Sequence, residues 1–81
     1  MPEISVRFFA AAREAFGTRE SRLQAGSVDE LVALLTEGAD QQAATVLSRS
    51  SFLINSVAAT DYAAALSDGD TVDVLPPFAG G

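Results

Sequence analysis

The sequence predicts an α+β roll, one long helix laid across one face of a small mixed sheet. Three observations predict it. The stretches at 4–10 and 71–75 alternate apolar and polar residues, the period of a half-buried strand. Between them Val28, Leu31, Val32 and Leu35 stand at i, i+3, i+4 and i+7, one stripe of an amphipathic helix. The chain has 81 residues, room for one small domain, and 48% of them are hydrophobic, enough for a single core.

Each element has its own signal. In "ISVRFFA" (4–10), Ile4, Val6 and Phe8 fall on one face, and Ser5, Arg7 and Phe9 on the other. "AAREAFG" (11–17) is rich in helix formers and closes on Gly17, which predicts a short helix or turn. "SRLQA" (21–25) is a weaker strand, closed by Gly26. Ser27 followed three residues later by Glu30 is a capping box that starts the main helix, and Gly38 ends it. Asp40 caps a second helical stretch, "QQAATVLSR" (41–49), in which Ala43, Val46 and Leu47 share a face. "FLINS" (52–56) reads as a strand, and "DYAAAL" (61–66) as a short turn or helix. "SDGD" (67–70) is a tight turn, with Gly69 free to take φ > 0. In "TVDVL" (71–75) Val72 and Val74 point inward. The main order is strand, strand, helix, strand, strand, without repeats, linkers or low-complexity segments. Residues 1–75 are expected to form the domain, and 76–81 an extended tail.

The missing residue types exclude whole classes of function. There is no Cys, hence no disulfide and no thiolate metal site. There is no His and no Lys; the five cations are Arg7, Arg13, Arg19, Arg22 and Arg49. A genome that prefers arginine explains the missing lysine equally well. Most nucleophilic and acid–base catalysis draws on His, Cys or Lys, so a self-sufficient enzyme is not expected. The net charge of −6 argues against nucleic acid and suits a partner with a basic surface. No apolar run is long enough for a membrane span, and no signal peptide is evident, so a cytoplasmic location is the default.

Three groups of residues are candidates for function. Asp68, Asp70 and Asp73 in "SDGDTVD" invite comparison with a calcium loop, but the 12-residue ligand spacing is absent and a hairpin turn explains them better. Phe9 and Leu75 each close a strand on its polar face, and Phe78 is close by in sequence. If the two strands are parallel neighbours, these apolar residues converge on one contact patch. The third group is the tail. Pro76 and Pro77 have no N–H to give a sheet and force the chain out of the strand. From Pro76 to Gly81 an extended chain reaches roughly 20 Å. Beyond Ala79, Gly80 and Gly81 carry no side chains and can thread a narrow channel. The result is a carboxylate on a thin arm, competent for acyl chemistry once another protein adenylates it.

Three stretches carry a family pattern: "RFFAAAREAFGT" (7–18), "IN" followed by "LSDGDTVDVLPP" (66–77), and the terminal "GG". With these the chain resembles the small subunits of molybdopterin synthase, ubiquitin-like sulfur carriers, over nearly its whole length; only 39–51 has no signature. The fold this implies is the β-grasp of ubiquitin, with the first and last strands side by side and parallel at the centre, and a flexible C-terminal tail. The resemblance implies that an ATP-dependent, E1-like enzyme adenylates the Gly81 carboxylate, which then becomes a thiocarboxylate. The tail next inserts into the large synthase subunit, where sulfur passes to a pterin precursor to build the dithiolene. The carrier would bind no cofactor itself; ATP is consumed by the activating enzyme, and a separate donor supplies the sulfur. With no Cys, a sulfur carrier of this sequence must carry sulfur on its chain end. Three alternatives remain at this point: a related carrier for thiamine or cysteine biosynthesis, a ubiquitin-like protein modifier, or a plain interaction domain.

Overall fold

The computed structural model describes residues 1–77. Five strands and three helices follow in the order β1 (Glu3–Phe8), α1 (Ala11–Phe16), β2 (Glu20–Gln24), α2 (Val28–Glu37), α3 (Gln41–Ser48), β3 (Ser51–Ile54), β4 (Val57–Ala58) and β5 (Thr71–Leu75). The sheet order is β2-β1-β5-β3-β4. The first and last strands are parallel neighbours at its centre, with Val6 opposite Val72 and Phe8 opposite Val74; the other pairings are antiparallel. This is the β-grasp arrangement expected from the sequence.

The alternation in β1 and β5 does what its period requires. Ile4, Val6, Val72 and Val74 are fully buried on the helix side of the sheet, and Phe8 nearly so. Val28, Leu31 and Leu35 of α2 join them in one core with Leu47 and Phe52. Each such side chain contributes roughly 1.5–3 kcal/mol through burial. Ser27 Oγ accepts the Glu30 N–H at 3.2 Å, as a capping residue should. Glu30 reaches one residue further back than a standard capping box, accepting the Gly26 N–H at 2.6 Å. Asp40 caps α3 by accepting from the Ala43 N–H at 2.8 Å. Gly17 closes α1 at φ 72°, donating to the Arg13 carbonyl at 2.9 Å, a conformation that favours glycine.

The structure corrects several boundaries. The first strand ends at Phe8 rather than Ala10, because Ala10 turns to φ 50° and starts α1. Gly38 ends α2 at φ −91°, without a left-handed cap. "FLINS" is not one strand: it stops at Ile54, and Asn55 and Ser56, both at positive φ, turn it back into β4. That pair of left-handed residues is the pattern of a two-residue hairpin, but Asn-Ser is a weaker cue than Asn-Gly. Of the two readings of 61–66, short turn or helix, the structure has the turn. The "SDGD" turn is tight, with Gly69 at φ 89°, but it does not join a hairpin. It delivers the chain into β5, which pairs with β1 and β3.

Candidate functional site

Parallel pairing of β1 and β5 brings both of their C-terminal ends to one pole of the sheet. There Phe9 follows β1 and continues its ladder, donating its N–H to the Val74 carbonyl at 3.3 Å. Ala10, at φ 50° and ψ −125°, then breaks the strand; this is backbone that an L-residue rarely adopts, at a cost of about 1–3 kcal/mol. The break leaves Phe9 at the strand's end, on the face opposite the core and half-buried. Leu75 ends β5 opposite Ser51. Phe9, Leu75, Pro76 and Pro77 line one groove of about 350 Å³, completed by Ala10, Arg49 and Ser51.

The convergence expected of Phe9 and Leu75 is therefore present, and Pro76 and Pro77 leave the sheet from the same groove. Phe78, Ala79, Gly80 and Gly81 lie outside the described residues, and with them the third apolar residue of the patch and the sulfur-bearing carboxylate expected at Gly81. Arg49 and Ser51 were not singled out from the sequence. They enter the groove because β3 runs antiparallel to β5, so its start meets the end of β5.

Electrostatics tie the groove to the sheet. The Arg7 guanidinium sits 5.5 Å from the Phe9 ring centre, in cation–π range. It also grips Asp73 through two parallel hydrogen bonds, Nε to Oδ1 at 2.7 Å and Nη2 to Oδ2 at 2.9 Å. That hydrogen bonding, then the charge of Asp73, raises the Arg7 pKa still further above the ordinary arginine value. Asp73 lies on the polar face of β5, yet it is only 4% exposed, so Arg7 is what keeps its buried carboxylate satisfied. A second groove, of about 440 Å³, lies on the other side of Phe9, lined by Arg7, Arg13, Arg19 and Glu20.

The three aspartates weighed as a calcium loop are otherwise engaged. Asp73 holds Arg7, Asp68 Oδ1 accepts the Glu3 N–H at 2.8 Å, and Asp70 accepts from the Ser67 N–H and the Asn55 amide. Among the described residues no cluster of His, Cys, Asp or Glu is arranged to hold a metal ion. No helix among them is long and apolar enough to cross a membrane.

Comparison with known proteins follows the same lines. The model of the ThiS family matches residues 6–81. No curated protein sequence matches the chain. Among solved structures, a chain from the protein–protein complex of subunits 1 and 2 of molybdopterin-converting factor from Helicobacter pylori 26695 is similar. It shows 26% identity and a TM-score of 0.76, over 98% of this chain and 99% of that one. Small archaeal modifier protein 1 from Methanosarcina acetivorans shows 27% identity and a TM-score of 0.84, over 100% and 98%. The HVO 2177 protein of Haloferax volcanii shows 29% and 0.80, over 99% and 87%.

Proposed function

This chain belongs to the ThiS family, whose model spans residues 6–81, and on that premise we propose that it is the sulfur-carrying small subunit of a molybdopterin synthase. It acts in the cytoplasm, catalyses nothing alone, holds no resident cofactor and takes no nucleic acid or membrane as partner. The observation that carries the reading is the groove in which Phe9 and Leu75 meet Pro76 and Pro77. An apolar anchor sits at the root of the segment that ends in Gly80 and Gly81, so one partner can hold the domain and receive the tail. The similarity to a chain from a complex of two molybdopterin-converting-factor subunits supports the large synthase subunit as that partner.

The chemistry is acyl activation. The Gly81 carboxylate attacks the α-phosphate of ATP on an E1-like enzyme, forming an acyl-adenylate and releasing pyrophosphate. Sulfide-level sulfur from the donor then adds to the acyl carbon and AMP leaves, giving a thiocarboxylate. In the large subunit that sulfur attacks a carbon of the pterin precursor and displaces an oxygen leaving group from it, so that a carbon–oxygen bond breaks as the carbon–sulfur bond forms. Water cleaves the acyl–sulfur bond, restoring the carboxylate and leaving sulfur on the product. Gly80 and Gly81 suit this because nothing but backbone has to enter the nucleotide site.

Incubation with ATP, the activating enzyme and a sulfide donor should add about 16 Da, one oxygen replaced by sulfur. Deleting Gly81 should abolish that product without unfolding the domain. A Gly81-deleted chain that still supports dithiolene formation with the large subunit would overturn the proposal. The similarity to an archaeal modifier protein favours a second reading, conjugation to lysines of other proteins. That reading expects ATP-dependent adducts that form without a sulfur donor.

A further inference from the structure

The chain is acidic overall, at −6, but the pole around Phe9 is not. Topology gathers the arginines there. β2 and β3 run antiparallel to β1 and β5, so their starts meet the end of β1 where β5 delivers Pro76. Arg7 is one residue from the end of β1, and Arg13 lies on α1 directly after it. Arg19 immediately precedes β2, and its carbonyl accepts the Phe8 N–H at 2.9 Å. Arg49 lies two residues before β3. All four are exposed. They line the two grooves that share Phe9: Arg7, Arg13 and Arg19 in one, Arg49 in the other. Among the described residues only Arg7 has an ion-pair partner. The free carboxylates on the same segments are Glu20, in the groove, and Glu14, beside Arg13. At the opposite pole Glu3, Asp68 and Asp70 cluster: Gly69 donates to the Glu3 carbonyl and the Glu3 N–H to Asp68.

We propose that this arginine collar docks an acidic protein surface that surrounds an apolar recess for Phe9, an inference that rests on the reading of the Phe9–Leu75 groove as a docking face. The expectation of a basic partner, drawn from net charge alone, is thereby reversed at the contact itself. Three exposed guanidiniums with no carboxylate partner among the described residues are matched to carboxylates that accept them two-pronged. Exposed pairs of this kind add little affinity each, but together they steer encounter and fix orientation. A polyphosphate chain fits less well, since it would run past the collar onto a surface of net negative charge.

The division of labour gives the test. Association of the full chain with the adenylating enzyme of the same organism is followed by stopped flow at about 50 and about 300 mM NaCl, where screening differs strongly. The on-rate of the parent should fall about tenfold at the higher salt. The double variant Arg13→Glu/Arg19→Glu should lose about tenfold in on-rate at low salt with its off-rate nearly unchanged, as rim charges do. Phe9→Ala should instead raise the off-rate and keep the salt dependence. An on-rate that is unchanged or raised by the charge reversal, in a variant that melts like the parent, overturns the collar. A second measurement is independent of the carrier reading: hexaglutamate titrated into the parent chain, with backbone amide shifts observed. Shifts concentrated at 7–20 and 49 support the collar even if the enzyme does not bind, which would count against the carrier reading alone. No shifts there overturn it. A six-nucleotide single strand binding more tightly than hexaglutamate overturns the assignment to a protein partner.

Discussion

Asn55 ties three segments together with one side chain. Its backbone takes φ 48°, a left-handed value that asparagine tolerates better than most residues. Its N–H donates to the Thr71 carbonyl at 2.8 Å and its Oδ1 accepts the Thr71 N–H at 2.9 Å, pinning the β3–β4 turn to the start of β5. Its Nδ2 donates to Asp70 at 2.9 Å. Asp70 also accepts the Ser67 N–H, and these two hydrogen bonds, the backbone one first, hold its carboxyl below the ordinary value of 3.8. The folded chain therefore binds that proton less readily than the unfolded chain. The stabilisation is complete above about pH 4 and is lost as pH falls through the lower folded value. Asp70→Asn should lower the melting temperature at pH 7, and the gap from the parent should narrow progressively in acid, below about pH 4. A gap that persists there would mean the variant acts by something other than charge. The "IN" dipeptide marked this spot in the sequence, but the partners of Asn55 lie 15 and 16 residues away and were not legible. Asp73 shows the same limit. Its phase placed it on the polar face, correctly; that Arg7, 66 residues earlier, would grip it there could not be read from alternation.

At the level of elements, local signals sufficed where they were strong. The capped stripe of α2 gave the helix its observed bounds, Val28–Glu37, and the two alternating segments gave the central strands. Leu31 is fully buried and Leu35 is 9% exposed. Truncating either to Ala should cost about 2–5 kcal/mol in urea melts, with Leu31 the costlier, since less of its lost surface was wet to begin with. Equal melts for both variants and the parent would remove α2 from the core. What failed to show was short or context-bound. β4 has two residues, too few for any period to declare itself, and its turn lacks glycine. Ala10 gives no cue to a left-handed backbone, because alanine seldom takes one.

For the molecule as a whole, half of the proposed docking site was written in the sequence. Phe9 and Leu75 stood out because an apolar residue on a polar face breaks the pattern, and a parallel pairing was enough to join them. The collar was not legible, since Arg13, Arg19 and Arg49 come together only through the order β2-β1-β5-β3. That order has a further implication, for timing. The central ladder joins residues 5–8 to 71–74, so the sheet has no middle until the last strand arrives. A chain cut after Asp70 should show no cooperative melt, and a sharp transition in it would contradict this picture. Phe9 is held by Val74, so the anchor and the segment that leaves β5 come into being in one folding step. A partner that must grip Phe9 before it handles the tail thus carries out an inspection. An incompletely folded or prematurely terminated copy offers neither handle nor arm, and under the proposed function its activation would never begin.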